Sequence, residues 1–333
     1  MDNRFSREYI LSIVKIHKDN KVLRFIINNI IGFLIDFGFS IALIAWIIIS
    51  LTLEFNPIIK IMIFSLLLIL SIYFIYLVFI KFNKIKINTF SIEVGNLNKP
   101  VSFVFLSDLH TGKERFGTNI KRLRKVVEMI NSLNPSLVLF GGDFVSEHYV
   151  LEILQELKNI KAKYKIGVLG NHDCAYLNGR EQIEPCTEGL GILKSMDLDI
   201  LVNEVRKVEL DGEKIYVGGI PDLYSLSFDL NKTFENAKNN YPKILLSHNP
   251  DIIDFIEDHD GIDLILSGHN HSGQIYLPFI GPVLPMPTKY RWLTKGIFKI
   301  GKKTQLLLSQ GVGAGGTRVR IGTDCELCVV QLR

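Results

Sequence analysis

The chain has 333 residues, of which 47% are hydrophobic, and a formal net charge of +4. The excess charge lies wholly in residues 1–97, which hold 10 Lys or Arg against 6 Asp or Glu, whereas residues 98–333 hold 28 of each. This balance disfavours nucleic-acid binding through a basic domain, and the length allows one large domain with an added element, or two domains.

The first part of the chain predicts a membrane anchor. Residues 1–24 form a basic N-terminal segment, and residues 25–82 contain two long apolar stretches, 37–53 and 61–80. A helix needs about 20 apolar residues to cross the hydrocarbon core, so we expect a transmembrane hairpin of two helices. A cleaved signal peptide is disfavoured because the apolar stretch starts late and a second one follows it.

The charges that flank the hairpin predict its orientation. Six basic residues precede it in residues 1–24 and three follow it in residues 81–86, whereas the region between the two stretches carries only Lys60. The positive-inside bias therefore predicts a cell-membrane protein that crosses the bilayer twice, with both ends and the globular domain in the cytoplasm. Residues 83–99 are expected to be a basic, partly extended linker, and residues 100–333 the globular domain.

A basic cluster in the globular domain has two interpretations. The cluster is formed by Lys121, Arg122, Arg124 and Lys125. The favoured interpretation is a solvated helix face, and the alternative is contact with anionic lipid headgroups.

Five short apolar runs in this domain each end in metal-ligating residues. The runs are residues 101–106, 137–140, 166–169, 244–246 and 264–266. Each is too short for a helix and too uniformly apolar for a half-exposed strand, which is typical of a buried strand. Because the carboxyl ends of strands in an open α/β sheet line one crevice, we expect the five loops to converge there.

These loops carry five of the eight histidines of the chain. Their sequences are Ser107-Asp108-Leu109-His110, Gly141-Gly142-Asp143, Gly170-Asn171-His172-Asp173, Ser247-His248-Asn249-Pro250 and Gly268-His269-Asn270-His271. Oxygen and nitrogen donors without a thiolate favour Mn, Fe or Zn over copper(I) or an iron–sulfur cluster. The recurrence of ligand residues after separate strands predicts a site for two divalent metal ions.

Asp143 is the candidate bridge between the two ions. The glycines before it permit a close approach, and a carboxylate has two oxygens to share. We expect Asp108 and His110 to bind one ion together, since side chains two apart on an extended segment point the same way. The other candidate ligands are an amide oxygen and three imidazoles, those of Asn171, His248, His269 and His271.

His172 is the candidate for acid–base catalysis. It directly follows a candidate ligand, so its imidazole should lie beside the metals without joining them. Asp173 is the second candidate catalytic residue, because a neighbouring carboxylate would set the tautomer of His172 and raise its pKa. We expect His172 to bind a substrate phosphate and to protonate the leaving group.

Taken in order, the motifs D-x-H, G-D, G-N-H-D, H and G-H-x-H resemble the calcineurin-like metallophosphoesterase superfamily over residues 100–333. The run GHNHSGQ at residues 268–274 is similar to the G-H-T-H-G-G-Q of bacterial membrane-associated phosphohydrolases in that superfamily, from which Asn270 and Ser272 depart. The resemblance implies an α/β fold, an αββα sandwich of two sheets. It also implies in-line attack of a metal-bound hydroxide on phosphorus.

The resemblance also implies a ligand set. One metal would be held by Asp108, His110, Asp143 and His271, and the other by Asp143, Asn171, His248 and His269. Arg320 matches an arginine usual in the branch and is read either as a phosphate ligand or as a partner in a salt bridge. The glycine-rich run 311–316 is read as a close-approach turn near the site.

The sequence therefore predicts a membrane-anchored, metal-dependent phosphoric ester hydrolase. Its substrate would be a phosphorylated small molecule or a lipid-linked compound. Relatives resembling UDP-diacylglucosamine pyrophosphatases make a nucleotide-linked lipid one candidate, and a soluble nucleotide or general phosphodiester stays open. The alternative function is a catalytically silent membrane scaffold. That alternative predicts a damaged ligand position, whereas all seven positions and His172 are intact.

Overall fold

Two long helices precede the globular domain. The computed structural model describes residues 21–113, 117–146, 149–175, 187–225, 227–238, 240–284 and 286–333, so most of the N-terminal segment predicted at residues 1–24 lies outside the described residues. Helix α1 spans Lys21–Thr52 and helix α2 spans Pro57–Tyr76, after which a π-helical turn continues to Lys81. Asn56 caps α2, since its side chain accepts a hydrogen bond from the backbone N–H of Ile58 at 2.9 Å.

Most apolar side chains of these helices face outward. In the most apolar 18 residues of the stretch Ile30–Thr52, only 6% of the residues are buried, and in those of the stretch Pro57–Lys81 only 17% are. An apolar surface of this extent is unfavourable in water and favourable in lipid. By length and composition, both stretches are suited to cross a bilayer.

The hairpin packs against the globular domain where α2 ends. An apolar cluster joins the two parts and consists of Leu77, Val78 and Val319, with Ile275 and Ile321 among the side chains packed on it. Beside this cluster, Asp36 of α1 is fully buried. Its Oδ1 accepts hydrogen bonds from Thr317 Oγ1 at 2.5 Å and from Arg318 N at 3.3 Å. The hairpin is thus attached to the domain by apolar and polar contacts as well as by the chain itself.

In the described part of the domain, two six-stranded sheets form the core. The strands are β1 Ile85–Ile92, β2 Val101–Leu106, β3 Leu137–Phe140, β4 Tyr164–Gly167, β5 Asp199–Ile200, β6 Glu204–Leu210, β7 Glu213–Gly219, β8 Lys243–Leu246, β9 Leu264–Ser267, β10 Tyr276–Leu277, β11 Gly281–Pro282, β12 Gly296–Ile300, β13 Thr304–Leu308 and β14 Cys325–Leu332. One sheet has the order β1-β14-β2-β3-β4-β5 and the other the order β12-β13-β9-β8-β7-β6, while β10 and β11 form a separate ribbon. The five strands predicted from apolar runs correspond to β2, β3, β4, β8 and β9, which confirms that prediction.

Helices cover the outer faces of the two sheets. They are α3 Ile120–Ser132, α4 Leu151–Leu154, α5 Asn171–Ala175, α6 Thr187–Lys194 and α7 Leu230–Phe234. Side chains alternate across each strand, so Phe103 of β2 and Leu266 of β9 meet between the sheets, whereas Val104 packs under α3. Phe234 of α7 packs on the outer face of the second sheet. The layers are those of the predicted αββα sandwich.

The structure differs from the prediction at residues 83–99. That segment is expected to be a linker, but it contains β1, which pairs in parallel with β14 from Ile85 to Ile92. The strand lies at an edge of its sheet, and most of its side chains are exposed or only partly buried. A polar edge strand lacks a continuous apolar run, and for that reason it resembles a linker in sequence.

The basic cluster on α3 does not form one solvated face. Arg122 is buried, and its guanidinium donates to Phe82 O at 2.6 Å and to Val312 O at 2.8 Å. Arg124 is exposed and pairs with Glu156 at 2.7 Å. The prediction is therefore wrong for Arg122, which connects α3 to the chain that follows the hairpin.

Candidate metal centre

The carboxyl ends of five strands bring the predicted ligand loops to one edge of the sandwich. Strands β2, β3 and β4 are parallel in one sheet, and β8 and β9 are parallel in the other. Backbone hydrogen bonds join neighbouring loops, from Asp108 N to Gly142 O at 2.9 Å and from Gly268 N to His248 O at 3.1 Å. The Asp108 carboxylate also accepts from His269 N at 3.0 Å, which joins the loops of the two sheets.

Left-handed backbone conformations aim the side chains at this edge. The φ angle is 56° at Asp108, 46° at His110, 54° at Asp143, 74° at His269 and 47° at His271. The extended geometry expected for Asp108 and His110 is therefore wrong, because the chain turns at each of these residues. Residues held in such conformations cost on the order of 1–3 kcal/mol each and cluster at functional sites.

Among the described residues, three overlapping groups of side chains have ligand atoms within 4.8 Å of one another. The groups are Asp108, His110 and His271; His110, Asp143 and His172; and Asp143, His248 and His269. Asp143 Oδ2 lies 3.6 Å from His110 Nε2 and 3.2 Å from His248 Nε2. The Asp143 carboxylate is thus close to a histidine of the first group and to a histidine of the third group.

The hydrogen bonds of His248 and His269 indicate whether a cation fits between their rings. His248 Nδ1 lies 2.7 Å from Gly141 O and His269 Nε2 lies 3.1 Å from Pro287 O, so each of these nitrogens carries the proton that the contact requires. In neutral rings, His248 Nε2 and His269 Nδ1 are then unprotonated, yet they face each other at 3.1 Å. Two lone pairs this close repel unless a positive charge offsets them. The arrangement fits a metal cation, since histidine ligands are oriented by a hydrogen bond at their other nitrogen.

Burial and charge act on these groups in different directions. Burial raises the pKa of Asp108 to about 6 and lowers the pKa of His110 and of His269 to about 3. Burial also opposes the charged form of His248, but the carboxylates of Asp143 and Asp108 outweigh it and raise that pKa to about 10. The site therefore attracts a positive charge beside His248, and a metal cation would compete with the proton for that place.

Asn171 and His172 begin α5 next to the ligand cluster. Asn171 Oδ1 is buried and has no hydrogen-bond partner within the described part of the chain. A buried amide oxygen without a donor is costly, and a cation would remove that cost. The backbone N–H of His172 donates to Asp143 Oδ1 at 2.9 Å, which fixes the bridge candidate from the other side.

The partners of His172 and Asp173 differ from those expected. His172 Nδ1 lies 2.7 Å from Ser146 O, so this carbonyl selects the tautomer with the proton on Nδ1, a role predicted for Asp173. Asp173 is buried and accepts from Gly170 N at 2.8 Å and Val145 N at 3.2 Å. Burial raises the pKa of Asp173 well above its usual value. Asp173 thus connects two ligand loops through their backbones.

Sequence reasoning did not find several residues that surround the ligands. Tyr224 Oη lies 3.2 Å from His269 Nε2. Asp222 is buried, burial raises its pKa to about 6, and its Oδ2 has no hydrogen-bond partner among the described residues. Both follow β7, another apolar run that ends in a polar loop, so the rule applied to the other five strands could have indicated them.

Arg320 has partners other than those considered from the sequence. The residue is buried, and its Nη2 donates to Gly313 O at 2.8 Å and lies 3.3 Å from His271 Nδ1. Its guanidinium therefore contacts carbonyls and an imidazole. Gly311 has a φ angle of 78°, and a Cβ atom there would lie 2.9 Å from Asp108 Cβ, which confirms the close approach predicted for the glycine-rich run.

Sequence comparisons agree with this architecture. The sequence model of the calcineurin-like phosphoesterase family matches residues 101–273. The chain is 31% identical over 257 residues to a metallophosphoesterase of Helicobacter pylori (strain J99 / ATCC 700824), covering 74% of this chain and 64% of that relative. The chain thus spans 64% of the length of the Helicobacter relatives that it matches.

Two further relatives indicate the branch. The chain is 27% identical over 279 residues to the UDP-2,3-diacylglucosamine pyrophosphatase LpxG of Chlamydia muridarum, covering 68% of this chain and 82% of that one. It is 28% identical over 225 residues to the metallophosphoesterase YkuE of Bacillus subtilis (strain 168), covering 64% and 73%. With its two-sheet sandwich and its ligand loops at the strand ends, the chain belongs to the calcineurin-like phosphoesterase family, in the branch that contains YkuE and LpxG.

Proposed function

We propose that this chain is a membrane-anchored phosphoesterase that hydrolyses a phosphoester or pyrophosphate bond with the help of two divalent metal ions. The observation that carries the proposal is a pair of close imidazole contacts around Asp143. His110 Nε2 lies 3.0 Å from His271 Nε2, and His248 Nε2 lies 3.1 Å from His269 Nδ1. Two such pairs around one carboxylate are suited to two cations that share a bridging oxygen ligand.

The proposed ligands are those implied by the family motifs. One ion would be held by Asp108, His110, Asp143 and His271, and the other by Asp143, Asn171, His248 and His269. Nitrogen and oxygen donors of this kind favour Mn, Fe or Zn. When bound, two such ions would neutralise phosphoryl oxygens and lower the pKa of a water molecule, so that it attacks phosphorus in line with the leaving group.

His172 is proposed to bind the substrate phosphate and to give a proton to the leaving oxygen. Its ring lies 4.9 Å from that of His110, centroid to centroid and nearly perpendicular, so it stands beside the ligands. Because Ser146 O holds the proton of Nδ1, Nε2 is the atom that would exchange a proton with the substrate. Asp173 would act indirectly, since its carboxylate accepts backbone hydrogen bonds from the two loops that contain Gly170 and Val145 and so holds these loops together.

The proposed substrate is a phosphorylated small molecule or a lipid-linked phosphate compound. Two observations support it: the charge balance of residues 98–333 disfavours nucleic acid, and LpxG relatives are named as pyrophosphatases of a diacylated sugar nucleotide. A lipid-linked substrate would also explain why this domain is attached to an apolar hairpin.

The proposed location is the cell membrane. Residues 25–82 would cross it twice, with the basic segment 1–24 and the catalytic domain 100–333 on the cytoplasmic side, as the flanking charges favour. Accessibility of engineered surface cysteines to a membrane-impermeant reagent tests this topology, and labelling of the domain in intact cells would contradict it.

The activity is tested with the purified full chain loaded with Mn. It should release p-nitrophenol from bis(p-nitrophenyl) phosphate, and Asp143→Ala should abolish the release. Glu209→Ala, an exposed carboxylate on β6, is the matched control and should keep wild-type turnover. Equal turnover by Asp143→Ala would contradict the assigned site. Two bound ions without hydrolysis of any phosphoester or pyrophosphate would favour the silent scaffold.

A further inference from the structure

An apolar finger projects from the domain beside the candidate metal centre. We define the finger as residues 276–283, the ribbon β10–β11 and its turn. The side chains of Phe279, Ile280 and Val283 are 109%, 73% and 47% exposed, and neighbouring Trp292 is 58% exposed. Six large apolar side chains are exposed among the described residues of the globular domain, 100–333, and these four of them lie together at the finger.

The geometry of the turn does not explain why the tip of the finger is apolar. Phe279 has a φ angle of 66°, a conformation that favours glycine or asparagine, and it stands at the tip where a polar residue would be better hydrated. A large aromatic side chain at such a position is unfavourable for the turn and for a surface in water. Its environment should therefore be apolar when the protein works.

The base of the finger meets the chain where the second candidate span ends. Ile275, directly before the finger, packs on the cluster that contains Leu77 and Val78 of the stretch Pro57–Lys81. Val283 N donates to Ile275 O at 2.8 Å, which closes the base of the ribbon. If the stretch ends at the edge of the bilayer, a ribbon of this length, about 10 Å, starts at the membrane surface.

The chain around the finger is basic, although the domain as a whole is neutral. Residues 264–323 contain eight Lys or Arg and no Asp or Glu. Arg291 Nη2 donates to Pro282 O at 3.0 Å, and Lys295 Nζ lies 5.8 Å from the ring centroid of Tyr276, so two of these cations stand at the finger itself. Apolar tips with basic residues behind them are suited to an anionic lipid surface.

A groove beside the finger is also lined by both apolar and basic side chains. Its volume is about 440 Å³, and its lining includes Tyr276, Ile280, Arg291, Trp292 and Thr294. The guanidinium offers donors for a headgroup phosphate, and the aromatic rings are of the kind that lie at membrane–water interfaces.

The finger also connects to the candidate metal ligands. It begins shortly after the turn His271–Gly273, and the chain that leaves it returns to the centre at Pro287, whose carbonyl accepts from His269 Nε2 at 3.1 Å. Two ligand histidines are thus held by the segment that carries the finger. Insertion of the tip into lipid would turn this side of the centre towards the membrane surface.

We propose that the finger, with Arg291 and Trp292 behind it, inserts into the interfacial layer of an anionic bilayer, so that the segment that holds His269 and His271 lies next to that surface. The occupant of this surface is the lipid of the membrane that α1 and α2 would cross. The inference rests on the proposed membrane anchoring, and the test separates the two.

The two tryptophans of the chain provide the test, since Trp46 lies on α1 and Trp292 at the finger. The full chain is placed in vesicles of brominated phosphatidylglycerol, which quenches tryptophan on contact. The variant Trp292→Phe reports on Trp46 and hence on the hairpin, and the variant Trp46→Phe reports on Trp292 and hence on the finger. We expect a loss of fluorescence at both sites relative to vesicles without bromine.

A tip variant and a matched control complete the design. In the Trp46→Phe background, Phe279→Ser should restore most of the Trp292 fluorescence, whereas Leu151→Ser, at an exposed apolar residue of α4, should leave it quenched. Unquenched Trp292 with quenched Trp46 would overturn the finger proposal alone. Unquenched Trp46 would overturn the membrane anchoring and the finger proposal with it.

Discussion

Gly170→Ala is the sharpest test of how the loops support the metal centre. A Cβ atom at this position would lie 2.2 Å from Asp143 Oδ1 and 2.6 Å from Asp143 N. Ordinary contacts begin at 3.4 Å, so the carboxylate or its backbone must move by about 1 Å. The variant adds one methyl group and removes no ligand, which separates the geometry of Asp143 from its chemistry.

The expected effects follow from that displacement. Metal ligands keep their distances within about 0.2 Å, and a misplacement of about 1 Å can cost roughly 100-fold in rate, so kcat/KM should fall by at least that factor. Overpacking of a buried site costs about 1–3 kcal/mol, so the protein should stay folded with a Tm lower by several degrees. Hydrolysis of bis(p-nitrophenyl) phosphate and thermal unfolding in detergent measure the two effects.

Gly191→Ala is the matched control for this substitution. Gly191 lies in α6, is exposed, and would have nothing within 4 Å of an added Cβ. Because alanine is the better helix former by up to about 1 kcal/mol, this variant should be as stable as the wild type or more stable, with unchanged turnover. If Gly170→Ala had wild-type kcat/KM and bound metal normally, the reasoning that Asp143 must stay in place would be refuted.

Three further substitutions test the packing around the centre. Asp36→Ala leaves the Thr317 hydroxyl without its acceptor and should cost about 1–3 kcal/mol, seen as a lower Tm in detergent, and an unchanged Tm would contradict the contact. Leu266→Ala removes a buried side chain between the sheets and should cost about 2–5 kcal/mol in a denaturant titration, which a neutral result would refute. Burial raises the pKa of Asp251 to about 7, so the folded state keeps a proton that the unfolded chain loses near pH 4. The contribution of Asp251 to stability should thus fall as pH rises from about 4 to about 7, so the difference in unfolding free energy between the wild type and Asp251→Asn should change over that range, whereas parallel stability curves would contradict the shift.

The sequence predicts the elements that combine an apolar run with a ligand loop. Such a run, as in β3, signals burial on both faces, and the loop after it must lie at the edge of the sheet where ligands collect. This reasoning found five strands and the loops that meet at the centre, because both signals are local in the chain. It missed β1, whose pairing with β14 depends on residues more than 200 positions away.

The residues that orient the ligands are harder to predict. Ser146 and Pro287 act through backbone carbonyls, which every residue has, so their side chains give no signal. The burial of Arg122 also depends on distant partners, since the carbonyls of Phe82 and Val312 reach it only in the folded domain. Left-handed turns at aspartate and histidine are likewise set by tertiary contacts rather than by local preference.

The segment of residues 311–317 connects the hairpin to the candidate metal centre. At its start, Gly311 brings the backbone against Asp108, at a distance that leaves no room for a side chain. At its end, Thr317 donates a hydrogen bond to Asp36 of α1. The same short segment therefore contacts a candidate ligand and the hairpin. Because closely packed interiors transmit small displacements, we expect a shift of the hairpin against the domain to reach the backbone beside Asp108. We therefore expect removal of the hairpin to disturb the geometry of the candidate centre as well.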